Sequence, residues 1–176
     1  MDAVKQGDII EKITIIRNGP EAGAFKADQA AFDALLREKT AAAVSEARVQ
    51  REKTLAEISA KYPDLTTTPS GLRYTILKAG AGEKPQAGAV VAVRYTGMFL
   101  SGETFDSSDF HGGPMELQAG VRQVIPGWDE TLLDMRRGER RMVVIPPELA
   151  YGDRGAGNAI PPNTFLVFEM ELVQIK

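Results

Sequence analysis

Gln123-Val124-Ile125-Pro126-Gly127-Trp128 runs two branched apolar residues into Pro-Gly and then into the single tryptophan of the chain. Asp129-Glu130-Thr131-Leu132-Leu133-Asp134-Met135 follows, with apolar residues at Trp128, Leu132, Leu133 and Met135 in the spacing of one short amphipathic helix. Pro126 suits the first turn of that helix, where a backbone N–H would lack a partner in any case. Asp129 and Glu130 fall where the helix dipole favours negative charge. Val124, Ile125 and Trp128 are therefore apolar groups at a rigid corner, which faces either a core or a pocket.

On both sides of this corner the pattern has a period of two. Leu72, Tyr74 and Ile76 alternate with polar neighbours, and Val91, Val93 and Tyr95 do the same. Met115-Glu116-Leu117, Arg140 to Ile145 and Thr164 to Ile175 continue the series, separated by turn signals such as Gly80 to Gly88, Ser101-Gly102 and His111-Gly112-Gly113-Pro114. Many strands, one short helix and no βαβ alternation predict an α+β domain over residues 71–176, an antiparallel sheet wrapped on that helix.

The region before it differs. Asp28 to Lys61 is rich in Ala, Leu, Glu, Lys, Arg and Gln and has no Gly or Pro, which predicts a long helix over 28–62 with Asp28 as its N-cap. Oppositely charged pairs four apart, such as Arg48 with Glu52, support it. Its apolar residues gather near Phe32, Leu35 and Leu36 and again near Leu55, Ile58 and Tyr62, without a sustained heptad. The helix is either a solvated spacer or an arm that dimerises. Tyr62-Pro63-Asp64 stops it, and residues 63–70 read as a linker. In residues 1–27, Ile9, Ile13 and Ile15 are in phase for a strand that ends at Asn18-Gly19-Pro20.

Composition closes off several chemistries. There is no cysteine, which removes disulfides, thiolate nucleophiles and Cys-based zinc sites, and a single histidine, His111, removes any paired-His metal site. By itself His111 reads as a surface residue in a glycine-rich loop. A net charge of −3 gives no electrostatic case for nucleic acid or an acidic membrane. No apolar run approaches the roughly 20 residues that span a bilayer. The first residues lack the basic-then-apolar order of a signal peptide. The expectation is a cytoplasmic protein, or a periplasmic one if Met1 is not its natural start. The glycine runs Gly80-Ala81-Gly82 and Gly152 to Gly157 fit no nucleotide-binding fingerprint, so no cofactor is implied.

Five motifs in order carry a family resemblance. They are Val93-Arg94-Tyr95-Thr96-Gly97-Met98, Gly102-Glu103-Thr104-Phe105-Asp106-Ser107-Ser108, Val124-Ile125-Pro126-Gly127-Trp128, Pro146-Pro147-Glu148-Leu149-Ala150-Tyr151-Gly152, and Ile160-Pro161-Pro162-Asn163-Thr164 leading into Leu166 to Leu172. The series resembles the FKBP-type peptidyl-prolyl cis-trans isomerase domain, over about residues 70–176. Helix, linker and domain together resemble the Mip and FkpA group of dimeric isomerases with chaperone activity, and residues 1–25 are weakly similar to the end of a cyclophilin domain.

The resemblance implies a proline pocket. Trp128 would be its floor, with Tyr95, Phe105 and Phe168 as walls. The Ile125 N–H and the Tyr151 hydroxyl would hold carbonyls of the bound chain, and Asp106 would lie beside the twisting imide. Val124, Ile160 and Met115 complete the substrate-binding set. Met115 replaces an aromatic common in the family, and Ala159 a larger aliphatic. His111 stands where a basic partner of the aspartate is often found, implying a less well compensated Asp106. The implied partners are proline-containing polypeptides, a macrolide of the FK506 or rapamycin kind held more weakly, and a second copy through the long helix. Taken singly, Phe105, Trp128 and Phe168 read better as core and Asp106 better as a turn or cap residue; the motifs in order reverse this. The competing function is a holdase that binds clients through the helix.

Overall fold

The structure is a computed structural model that describes residues 29–176. The expected strand around Ile9 to Ile15, the cyclophilin-like lead-in and the Asp28 cap lie outside the described residues. The chain divides into two compact units between Lys53 and Thr54, inside the long helix.

Helix α1 spans Gln29–Lys61. At about 1.5 Å rise per residue it is on the order of 50 Å long. Its Arg48–Glu52 pair sits at 3.9 Å with both side chains exposed, so it adds a few tenths of a kcal/mol at most. Phe32, Leu36, Val44 and Val49 are all more than half exposed. The Tyr62 N–H still bonds to the Ile58 carbonyl at 2.8 Å. Pro63 then ends the helix, because a proline disfavours helical backbone in the residue before it. No described helix is long and apolar enough to cross a membrane.

From Thr54 onward the chain forms a seven-stranded antiparallel sheet. Its strands are β1 (Thr66–Thr67), β2 (Arg73–Lys78), β3 (Val90–Phe99), β4 (Thr104–Ser107), β5 (Met115–Gln118), β6 (Arg140–Ile145) and β7 (Leu166–Ile175). The order is β1-β2-β6-β7-β3-β4, with β5 pairing the first half of β3. Two 3-10 turns, Ser108–His111 and Pro147–Leu149, and helix α2 (Pro126–Asp134) complete the domain. The expected linker is partly sheet: Thr66 and Thr67 pair with Tyr74 and Arg73. Two residues give no periodic signal, so β1 is visible only through its partner.

The alternation of side chains sends each strand to two faces. On the front, Val91, Val93 and Tyr95 of β3, Val143 and Ile145 of β6, and Leu166, Phe168, Met170 and Leu172 of β7 pack with Trp128, Leu132 and Met135. On the back, Val144, Phe165 and Val167 pack with Ile58 of α1, which is 1% exposed, and Leu55, Tyr62 and Met98 flank them. The Lys61 ammonium bonds to the Leu100 carbonyl at 2.6 Å. The last two turns of α1 therefore belong to the core of the sheet domain.

A paired charge cluster ties α2 to β6. Arg141, 3% exposed, reaches Glu139 through Nε at 2.7 Å and Asp134 at 2.9 Å. Its guanidinium also lies 4.2 Å from the centre of the Tyr74 ring. Each buried charge has an opposite partner, which is the condition for tolerating it. The hydrogen bond from Lys84 holds the Asp134 carboxyl below its ordinary range; partial burial opposes this and Arg141 adds to it.

Candidate active site

The corner that opens α2 is hung from the helix it precedes. Asp129, 8% exposed, accepts the N–H of Gly120 through one oxygen and the N–H of Arg122 through the other, both at 2.8 Å. Arg122 adopts a positive φ of 61° to make the bend. Gln123 Oε1 accepts the Gln118 N–H at 3.0 Å. The chain then reaches Ile125, the N-cap of α2, with Pro126 in the first turn. A Cβ on Gly127 would come within 2.5 Å of Ile145 Cγ2, so only glycine lets the start of α2 lie this close to β6. Among the described residues the Ile125 N–H has no acceptor. The Trp128 indole N–H is buried and unpaired.

Four rings converge here. Trp128 meets Tyr95 at 4.8 Å between centroids and Phe168 at 5.4 Å, with interplanar angles of 74° and 89°. Phe105 meets Phe168 at 5.6 Å and 90°. These are the edge-to-face arrangements that ring quadrupoles favour. The register explains the convergence: Gly97 of β3 lies opposite Phe168 of β7 and opposite Asp106 of β4. A Cβ on Gly97 would sit 2.7 Å from atoms of both Phe105 and Phe168. The two walls close over that bare backbone.

Asp106 is held from three sides. Its Oδ2 accepts the Tyr95 hydroxyl at 2.8 Å, and its Oδ1 accepts the Ser107 N–H at 2.8 Å and lies 2.8 Å from His111 Nε2. Partial burial pushes the Asp106 carboxyl up. The hydrogen bonds from His111, Tyr95 and Ser107 outweigh this and hold it below the ordinary carboxylate value. Burial first, then the Asp106 hydrogen bond and charge, push the Tyr95 phenol well above its usual range. Burial and the charge of Asp106 also raise Tyr151.

Tyr95, Phe105, Asp106, Met115, Val124, Ile125, Trp128, Tyr151 and Phe168 line one cleft of about 420 Å³, a volume ordinary for a small-ligand site. Ile160 does not line it. The segment 153–160 folds on itself, with the Ala156 N–H on the Ile160 carbonyl at 2.8 Å, and turns the Ile160 side chain, 5% exposed, into the front core. Gln123, Pro126 and Ala150 also line the cleft, outside the set of pocket residues the resemblance implies. Each is a neighbour of a residue in that set, and adjacency in a tight turn was the available signal. His111 is exposed, as its loop position suggested, yet it is bonded to Asp106. The contact gives Asp106 a hydrogen-bond partner, and a compensating charge only when the imidazole is protonated. Among the described residues, no group of three or more His, Asp and Glu is placed to hold a metal ion.

A single antiparallel sheet wrapped on one short helix, with an aromatic cleft at the start of that helix, defines a small peptide- or ring-binding domain. The chain belongs to the FKBP-type peptidyl-prolyl cis-trans isomerase family, whose family model matches residues 81–173. It is 42% identical over 137 residues to a probable FKBP-type peptidyl-prolyl cis-trans isomerase of Haemophilus influenzae, covering 78% of this chain and 56% of that protein. FK506-binding protein 1 of Dictyostelium discoideum is 45% identical over 106 residues, 60% of this chain and 99% of that protein. A crystal structure of a peptidyl-prolyl cis-trans isomerase from Pseudomonas syringae superposes with a TM-score of 0.65 at 36% identity, covering 75% of this chain and 96% of that one. The chain spans about half the length of several bacterial relatives it matches, among them FkpA of Escherichia coli and outer membrane protein MIP of Legionella longbeachae.

Proposed function

We propose that this chain accelerates cis-trans isomerisation of X–Pro bonds in unfolded or extended polypeptides and assists their folding. The observation that carries this is the cleft: four aromatic rings around an apolar space, one carboxylate at its side, and backbone and phenol donors at its mouth. An X–Pro bond rotates behind a barrier of about 18–20 kcal/mol set by amide resonance. Rotation breaks no bond, so the reaction asks for no nucleophile. It asks for a site that fits the twisted imide better than the planar one.

In this reading Trp128 carries the proline ring and Tyr95, Phe105 and Phe168 wall it in, excluding water. Twisting localises charge on the carbonyl oxygen and the imide nitrogen, and fixed dipoles in a dry site favour that state. The unpaired Ile125 N–H and the Tyr151 hydroxyl would hold carbonyls of the bound chain. Asp106 lies beside the imide, oriented by Tyr95 and Ser107. Val124 and Met115 complete the contact surface, Met115 at the rim with an adaptable thioether. The same cleft would take a macrolide ring, more weakly than a cleft with an aromatic rim. Ile160 acts through the core.

A protease-coupled assay on a proline tetrapeptide tests this directly. The full chain should raise the isomerisation rate, and Phe168→Ala should remove most of the gain; no gain from the full chain would overturn the reading.

The second reading is a holdase or a dimer built on α1. Its exposed Phe32, Leu36, Val44 and Val49 favour this. We propose that residues 1–27 form an extension, 28–62 the arm and 71–176 the isomerase domain joined through 63–70. A truncation that probes the arm should begin at Thr54, since Ile58 is needed in the back core.

A further inference from the structure

The single histidine of the chain is placed beside the cleft. It ends the 3-10 turn Ser108–His111, which starts from the Ser107 hydroxyl accepting the Asp109 N–H and closes on the left-handed Gly112 at φ 88°. That short return brings His111 Nε2 within 2.8 Å of Asp106 Oδ1, while the Tyr95 hydroxyl occupies Oδ2 at 2.8 Å. Among the described residues lining the cleft, Asp106 is the one that carries a charge; the others are aromatic, aliphatic or neutral polar.

We propose that His111 is a positioning residue for Asp106, and that its protonation makes the cleft hold a proline substrate more tightly, so that affinity falls as rising pH strips the imidazole of its proton. This rests on the isomerase reading above. An uncompensated charge beside an apolar ring resists the loss of water that binding requires. A protonated imidazole on Oδ1 supplies an opposite charge and a charge-assisted hydrogen bond that keeps the carboxylate turned toward Tyr95. A neutral imidazole supplies at most an uncharged one.

Imidazole is the side chain whose ordinary titration falls between about pH 5 and 8. The other titratable groups around the pair are Asp109 on the same turn, Tyr95 on β3, and Tyr151, which follows the second 3-10 turn. Carboxylates and phenols ordinarily titrate outside that window. Burial and the neighbouring Asp106 push both phenols further from it. The His111 side chain is 64% exposed, so solvent screens the pair and the effect is modest, about twofold to fivefold in affinity.

The test uses the full chain and a blocked X–Pro tetrapeptide free of ionisable side chains, whose uncatalysed exchange is insensitive to pH. Exchange spectroscopy gives kcat and KM between pH 5.5 and 8, and the sole imidazole and the sole indole N–H, that of Trp128, are titrated in the same samples. The expected result is a rise in KM of about twofold to fivefold with increasing pH at nearly constant kcat, with a midpoint equal to that of the imidazole. His111→Arg should hold the low-pH KM throughout, and His111→Gln the high-pH value. A wild-type KM that does not change with pH, a midpoint that departs from the imidazole titration, or an undiminished pH dependence in both variants would overturn the proposal. The midpoint comparison needs no variant, so it stands even if a substitution impairs folding. Absence of catalysis at every pH would instead overturn the isomerase reading beneath it.

Discussion

The two faces of the sheet are built from the same strands and end differently. The back face is closed mainly by aliphatic groups and one buried ring, with Ile58 of α1 set among Val144, Phe165 and Val167. On the front face Trp128, Leu132 and Met135 pack against the sheet, and four rings, Trp128 among them, meet edge to face beside a cleft. Interior side chains interdigitate at close packing, and the ring edges that border the cleft are where that packing stops. The difference separates stability from function. The back face should contribute only to folding, and the front face to both.

The largest expected effect comes from the back. Ile58→Ala should lower the unfolding free energy by about 2–5 kcal/mol, the usual cost of truncating a buried aliphatic residue. Isomerisation measured well below the melting temperature should be unchanged. Chemical denaturation paired with the proline assay checks both halves, and a matching loss of activity would break the division between the faces.

Gly97→Ala probes the front face at its tightest point. The added Cβ meets Phe105 and Phe168 at 2.7 Å, and overpacking of this kind typically costs about 1–3 kcal/mol. Displacing both walls should lower kcat/KM by roughly ten- to a hundredfold, since displacements of about 1 Å have that effect on a positioned site. Steady-state kinetics and a melting curve on the same protein show whether activity falls further than stability does.

Asp106→Asn should change stability least, and chiefly above the acid range. The Asp106 carboxyl is depressed in the folded protein. Its contribution is therefore present above the unfolded value, about 3.9, and is lost as pH falls through the lower folded value. With the side chain 39% exposed, screening keeps it small. Unfolding titrations at pH 6 and pH 3 should show a smaller acid loss in Asp106→Asn than in the wild type. An equal loss would place the acid sensitivity elsewhere, with Asp134 the next candidate.

Most of the fold was legible because its signals are local. Alternation marked β2, β3, β6 and β7, and Pro126 marked the start of α2. The elements that escaped are short: β4 has four residues and β1 two, and both are defined by what they pair with. The candidate site was legible as a set of residue types in order. Ile160 packs in the front core without lining the cleft, a distinction that spacing along a loop does not carry. By itself His111 reads as a surface residue, and only the family resemblance set it beside Asp106, because the two become neighbours through the 3-10 turn between them.

By itself the sequence determined the chemistry on offer: no thiolate, one imidazole, one indole, and aromatic residues at strand and helix positions. Periodicity also determined which residues share a face, since alternation along a strand is a property of the backbone. Tertiary structure decided which buried positions border empty space. It made Phe168 a wall of the cleft and Val167 plain core, although they are adjacent in the chain. It took Ile58 into the sheet domain while leaving Phe32 of the same helix 60% exposed. The reason is that burial belongs to the partner surface. Both residues have the tendency to be buried, and only the one that meets a sheet face can satisfy it.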